Sequence, residues 1–200
     1  LILFFFIMFF KKVPDFIGIY DGVLSSNQCK EIIDHINSSD LLLGRCGAAE
    51  VDQSRKDCLE SSMEISNNSI VNSYITSSLQ EYTPKYRKEY PEVDVQYPWN
   101  ICGGYNLQKY YPGQGYFSAH CENDCIETSH RMLVWMFYLN TVKDGGGTRF
   151  QNYDIITNAV EGRLVIWPAH WTHVHHGVVS KTESKYVATG WYAFDRSRSE

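Results

Sequence analysis

Residues 131–194 read RMLVWMFYLNTVKDGGGTRFQNYDIITNAVEGRLVIWPAHWTHVHHGVVSKTESKYVATGWYAF. Short apolar or alternating runs recur in it: Met132 to Leu139, Thr148 to Gln151, Arg163 to Trp167, His173 to Val179 and Tyr186 to Phe194. Between them stand Asn140, Gly145-Gly146-Gly147, Gly162, Pro168 and the polar stretch Ser180 to Ser184. A strand needs only a few residues and stops where Gly, Pro or Asn frees or blocks the backbone, so this texture predicts many short strands. It reaches back to Trp99 through Asn100 to Tyr110, Pro112-Gly113, and Tyr116 to Glu122. Strands at near-regular spacing argue for a β-sandwich or barrel. The aromatic content of 14% suits such a fold, because flat rings pack well on a pleated surface.

Upstream of Trp99 the period changes. Cys29, Ile32, Ile33 and Ile36 fall at the i, i+3, i+4, i+7 spacing of one helical face, and Ser25 with Gln28 forms a capping-box pattern, so Ser25 to Ile36 is expected to be a helix. A second helix is expected over about residues 67–88, with Ile70, Tyr74, Leu79, Tyr82 and Tyr86 as its stripe and Pro91 beyond its end. Gly44 to Glu60 is polar and aperiodic, as in a long loop or irregular strands. The expected class is therefore mainly β with flanking α-helices, an α+β fold.

The chain has 200 residues, enough for one domain with a sizeable core. Eighteen basic against 23 acidic residues give a formal charge of -5, which speaks against a dedicated nucleic-acid binder. The six cysteines contain no CxxC pair and are expected to be reduced and semi-apolar. Residues 1–12 are an apolar extension, LILFFFIMFF followed by two lysines; ten apolar residues are too few for a membrane span, which needs about 20. The expectation is a single domain over residues 13–200 in the cytoplasm, with a membrane or export role only if residues 1–12 are a real segment.

The chemistry-bearing residues cluster in two places. His120-Cys121-Glu122 closes a predicted strand, where residues i and i+2 share a face and can share a metal. Four of the seven histidines lie in His170-Trp171-Thr172-His173-Val174-His175-His176. Neutral imidazole is a common ligand for first-row transition metals, and two histidines with one carboxylate make the facial triad of non-haem Fe(II) oxygenases. Zinc hydrolases also use two histidines and a glutamate, but the helical HExxH pattern is absent from the sequence. Either His173 or His175 can be the second imidazole on this reading. Lys185 lies ten residues past His175, across the expected turn, where a hairpin would bring a compact cation to the metal strand to meet a dicarboxylate, with the Tyr110 hydroxyl to assist.

The stretches QKYYPGQGYFSAHCEN, RMLVWMFYLN, GGGTRF and GRLVIWPAHWTHVHHGVVSKTESKYVATGW resemble the catalytic domain of prolyl-4-hydroxylase-like Fe(II)/2-oxoglutarate-dependent dioxygenases, above all small phage and marine bacterial members. VPDFIGIYDGVLSSNQCKEII resembles the segment that opens those proteins. The resemblance implies a double-stranded β-helix, or jelly roll, over about residues 99–195, with N-terminal support helices. It implies Fe(II), 2-oxoglutarate and O2, with ascorbate as an accessory reductant, and a peptidyl substrate, prolyl before lysyl; free amino-acid and nucleobase substrates stay open. No nucleic acid or membrane partner is implied, and oligomeric state is not addressed.

Carried over residue by residue, the metal ligands fall on His120, Glu122 and His175, the last because H-x-G followed by Lys ten residues on matches His175, Gly177 and Lys185. Lys185 would bind the C5 carboxylate beside Tyr110. GGxTxF matches Gly145, Gly146, Thr148 and Phe150, at a boundary between core strands. Trp191 and Tyr116 would line the substrate pocket. One departure stands out: the commoner pattern is His-x-Asp, and here it is His-x-Glu. That departure keeps alive a catalytically silent jelly-roll binding module, and the ligand set keeps alive a zinc-dependent hydrolase.

Overall fold

A computed structural model describes residues 15–47, 50–95 and 97–194; the apolar extension of residues 1–12 lies outside them. Among the described residues no helix is long and apolar enough to cross a membrane.

The architecture is two sheets face to face, with helices on the outer face of the larger one. Strand β1 (Gly18–Tyr20) precedes helix α1 (Ser26–Ser38), then β2 (Leu42–Leu43), β3 (Lys56–Asp57) and β4 (Leu59–Glu64), helix α2 (Ile70–Glu89), and strands β5 (Trp99–Tyr110), β6 (Gly115–Tyr116), β7 (Arg131–Tyr138), β8 (Thr148–Phe150), β9 (Ile155–Thr157), β10 (Leu164–Pro168), β11 (His175–Gly177) and β12 (Lys185–Phe194). The larger sheet has the antiparallel order β1-β10-β7-β12-β5-β4-β2. Facing it are β11-β8-β9 and the pair β3-β6, joined by an isolated bridge between His120 and His175.

Two cores explain why this arrangement holds. Tyr105 and Leu107 of β5, Leu133, Trp135 and Phe137 of β7, Leu164 and Ile166 of β10, and Ala188 and Tyr192 of β12 pack against Cys29, Ile32 and Ile36 of α1 and Val71, Ile75 and Leu79 of α2. The alternate residues, Tyr110, Val134, Met136, Tyr138, Val165, Trp167 and Val187, turn into the space between the sheets and meet Cys58 and Phe150. Strand β7 is thus covered on both faces, which is why its sequence is continuously apolar instead of alternating. Gly190 lies where the sheet meets the aromatic layer: a Cβ there would sit 2.3 Å from the Trp135 ring.

The first helix matches its expected span, with the Ser25 and Gln28 capping box in place. The stripe on α2 requires a correction. The buried positions are Val71, Ile75, Leu79 and Tyr86, while Ile70 is 57% exposed, because the face that meets the sheet starts one residue later. Ser69 caps this helix by accepting from the Asn72 amide, which sets the start at Ile70 and not residue 67. The run His173 to Val179 also needs correcting. Trp171–His173 is a 3-10 turn and the strand is only His175–Gly177, so His173 and His175 do not share a strand face. All six cysteines are free thiols.

Candidate active site

His120 and His175 are held opposite each other by a two-way backbone bridge: His120 N donates to His175 O (3.0 Å) and His175 N to His120 O (2.9 Å). Glu122 N donates to Ala169 O, which anchors the third residue to the end of β10. The ligand atoms of His120, Glu122 and His175 all lie within 4.8 Å of one another. Glu122 Oε1 is 3.4 Å from His120 Nε2 and 3.6 Å from His175 Nε2.

The orientation of both rings is set from behind. His120 Nδ1 lies 3.0 Å from Ser118 O and His175 Nδ1 lies 2.8 Å from His173 O. A carbonyl only accepts, so each Nδ1 carries the proton and each Nε2 presents a bare lone pair to the carboxylate. Burial, then the neighbouring His120, pushes the His175 pKa down, which keeps it neutral. Burial works to raise the Glu122 pKa, but the hydrogen bonds and charge that the two imidazoles supply in their protonated form outweigh it and hold the pKa well below the usual carboxylate range, so Glu122 is a carboxylate when the rings are neutral. Three electron-pair donors converge on one point with no cation among them; a divalent ion fits this donor set. Tyr116 stacks on His120 at 3.6 Å and 13°, and Trp167 and Phe150 pack on His175, so the ligands are rigid before anything binds.

His173 is placed elsewhere. It is buried, its Nε2 donating to Asp15 O (2.7 Å) and its Nδ1 accepting from the Thr172 hydroxyl (2.9 Å). It ties the N-terminal segment to the turn before β11, and its ring nitrogens are spent there. The structure therefore brings His175, and not His173, to His120 and Glu122.

A cavity of about 420 Å³ opens beside these three residues, lined among others by Lys185, Tyr110, Thr148, Gln108 and Trp191. Lys185 is 8% exposed and forms no ion pair among the described residues. Burial pushes its pKa down to about 8. A buried ammonium without a counter-ion is costly, and the cavity in front of it is the place an anion can relieve that cost. Tyr110 is its cross-strand partner in the β12–β5 pairing, with the Lys185 nitrogen 4.3 Å from the Tyr110 ring centre. The expected hairpin is not what delivers Lys185. β11 pairs with β8 in the small sheet and β12 lies in the large one, and the nitrogen reaches the metal strand across the gap, 3.7 Å from the Cβ position of Gly177. The Tyr110 hydroxyl donates to Gln108 Oε1 (2.9 Å).

Trp191 and Tyr116 line the same cavity. The Trp191 indole donates to Glu122 Oε2 (2.9 Å) and the Tyr116 ring is taken up with His120. Sequence reasoning missed Lys56, Glu60, Gln108, Arg131, Thr148 and Trp167, all of which line the cavity. Arg131 opens the continuously apolar strand β7, and a charge in that place was the one available signal. Lys56 and Glu60 gave none, since they sit in a polar, aperiodic segment.

Residues 105–193 match the family model of the 2OG-Fe(II) oxygenase superfamily. Those residues are similar to the 2OG-Fe(II) oxygenase family over a little under half of the chain. They contain every residue discussed above as a ligand or an anchor. Solved structures similar to this chain include a viral collagen prolyl hydroxylase from Paramecium Bursaria Chlorella virus-1, at 18% identity and a TM-score of 0.69, covering 90% of this chain and 97% of that one. A prolyl-4-hydroxylase from Pseudomonas putida aligns at 15% identity and TM-score 0.68, over 91% and 94% of the two chains. A Trichoplax adhaerens prolyl hydroxylase, solved with a hypoxia inducible factor oxygen degradation domain peptide fragment, aligns at 15% identity and TM-score 0.75, over 92% and 86%. No curated protein matches this chain. At these identities the likeness carries the fold, jelly roll and support helices together.

Proposed function

We propose that this chain hydroxylates a prolyl residue of a peptide or protein, with Fe(II) held by His120, Glu122 and His175 and 2-oxoglutarate anchored by Lys185. The observation that carries this reading is the pairing, in one cavity, of a three-donor cluster with a buried ammonium that has no ion-pair partner among the described residues. A co-substrate that chelates a metal at one end and bears a carboxylate at the other meets both. When bound, the iron with 2-oxoglutarate and O2 supplies the oxidising power, and the by-products are succinate and CO2.

The chain's own residues bind, orient and exclude water. Ser118 O and His173 O fix the imidazole tautomers. Lys185 neutralises the distal carboxylate, and Tyr110, on the adjacent strand, holds the Lys185 side of the cavity. The Tyr110 pKa is raised well above its ordinary value by burial, so its hydroxyl stays a neutral donor. Val187, Met136 and Trp167 make the walls apolar, which strengthens each polar contact inside. The prolyl assignment is supported by the company of prolyl hydroxylases among the similar structures, one of them holding a peptide.

The test is succinate release and peptide mass. Wild-type protein with Fe(II), 2-oxoglutarate and a library of proline-containing peptides is expected to form succinate and add one oxygen to a proline-bearing fragment. Glu122→Ala should abolish both. Succinate formed by Glu122→Ala at the wild-type rate would remove the ligand assignment; succinate from wild type with oxygen added only to non-prolyl substrates would remove the prolyl reading and leave the site intact.

A further inference from the structure

The two oxygens of Glu122 have different surroundings. Oε1 faces the two imidazole Nε2 atoms at 3.4 and 3.6 Å. Oε2 faces away from them: it accepts from Trp191 Nε1 at 2.9 Å and lies 3.5 Å from Arg131 Nη1. The same Arg131 nitrogen donates to the Glu122 backbone carbonyl at 3.2 Å. The Arg131 guanidinium in turn sits over the Trp191 ring, 3.6 Å from its centre. Each of the three side chains therefore touches the other two. They come from separate places, Arg131 from the start of β7, Trp191 from β12, and Glu122 from the segment that β10 anchors.

A glutamate has one more torsion than an aspartate, and so more ways to face an ion: through either oxygen, or through both. Here one oxygen is already committed. An indole N–H gives a single directed hydrogen bond, and the guanidinium that could drift is itself pinned on the indole face. The group left free to meet a cation is Oε1, and it already points between the histidines. We propose that Trp191 and Arg131 are positioning residues that clamp Glu122 by Oε2, so that the carboxylate offers the metal Oε1 alone, and that the clamp is matched to the length of glutamate. A shorter carboxylate withdraws by about 1.5 Å, one carbon–carbon bond, and must give up either the indole or the ion. The apparent oddity of a glutamate at this position is then a matched set of three residues, not a lone replacement.

This proposal rests on the metal-site reading above, and the experiment separates the two. Mn(II) is titrated into the full chain and followed by the EPR signal of the free ion, for wild type, Trp191→Phe, Glu122→Asp, the double variant and Arg131→Gln, with the melting temperature of each metal-free protein as a folding control. Trp191→Phe keeps an aromatic face for Arg131 and removes only the donor. It is expected to weaken Mn(II) binding about 10–100-fold, as loss of a partner behind a metal ligand does. Glu122→Asp is expected to bind more weakly than wild type, and Trp191→Phe should then cost less than about twofold on top of it, because an aspartate that gives up the indole or the ion no longer couples the two. Wild-type affinity in Trp191→Phe, an equal loss in both backgrounds, or Mn(II) held by Glu122→Asp as tightly as by wild type would each overturn the clamp. Should Trp191→Phe fail to fold, Glu122→Asp and Arg131→Gln decide alone: both are expected to weaken binding, and unchanged affinity in either overturns the proposal. If wild type itself takes up no Mn(II), the metal-site reading falls first and the clamp with it.

Discussion

At the scale of single residues, the role of each histidine follows from which of its ring nitrogens is already spent. His120 and His175 spend Nδ1 on carbonyls and keep Nε2. His173 spends both nitrogens on structure. His175→Ala is therefore expected to lose metal, whereas His173→Ala should keep one equivalent of metal and lose about 1–3 kcal/mol of stability for its orphaned partners; metal analysis and urea denaturation distinguish the two. Lys185 is the opposite case, a buried donor with no hydrogen bond or ion pair among the described residues, only the Tyr110 ring beside it. Its pKa of about 8 in the ligand-free protein makes a signed prediction. Only the ammonium pairs with a carboxylate, so 2-oxoglutarate affinity should be flat below about pH 8 and fall up to about tenfold per pH unit above it. The free protein should do the reverse. A lysine whose folded pKa is depressed binds fewer protons than the unfolded chain above that pKa, so stability rises as pH climbs from about 8 toward the ordinary lysine value. Calorimetric titration across pH checks the first, and melting of the free protein the second. Lys185→Ala should abolish both dependences and cost most of the co-substrate affinity.

At the scale of elements, the sequence made legible those strands whose burial alternates with solvent or ends at a glycine. β5, β10 and β12 fall within a residue of their expected limits. β4 has no counterpart among the expected strands: Gly44 to Glu60 reads as a long loop or irregular strands and no element is expected over residues 61–64, because the sequence of β4, LESSME, carries no apolar alternation. Its inward side is a polar cavity floor: Glu60 is buried, accepting from Lys56 Nζ (2.7 Å), Gln108 Nε2 (3.1 Å) and the Arg45 amide (2.9 Å). A strand that faces a polar cavity has no hydrophobic signature to read. Strand β9 was missed because, unlike the equally short β8, which the three glycines before it mark off, it is not preceded by Gly or Pro. His173 and His175 could not be separated by period either; the 3-10 turn at Trp171–His173 makes the difference, and it depends on a contact to Asp15, far away in the chain. The Lys56–Glu60 pair gives the prediction that belongs here. Lys56→Met leaves a buried carboxylate short of its cation and is expected to cost about 3–5 kcal/mol, while replacing both residues with apolar ones of similar size should recover most of that. If the single and double variants unfold at the same urea concentration, the pair is not what holds β4 and β3 together.

At the scale of the whole molecule, the site lies in the gap between the two sheets and is contributed by both. His120 and His175 belong to the small-sheet side, and Lys185 and Tyr110 to the large sheet; away from the cavity the sheets are joined by packing such as Phe150 on Trp167 and by the Tyr138 hydroxyl, which meets Thr148 and Thr157. A metal with a co-substrate that reaches from the histidines to Lys185 would tie the sheets at the one place where they are separated by a cavity and not by packed side chains. Ligands that bind only the folded state add RT ln(1 + [L]/Kd), about 2.7 kcal/mol at a hundredfold excess over Kd. For a domain of this size that corresponds to a rise in melting temperature of about 5–10 °C, at about 2–4 °C per kcal/mol. The increments should not be independent. Because the buried ammonium is relieved only by a carboxylate held in place at its other end, Mn(II) and 2-oxoglutarate together should raise the melting temperature by more than the sum of each alone, and a chelator should reverse the whole gain. In Lys185→Ala the metal increment should persist and the cooperative excess vanish. Strictly additive shifts in the wild type would mean that the two ends of the cavity are filled by separate ligands, and that a single bridging dicarboxylate is the wrong description of what this gap was shaped to hold.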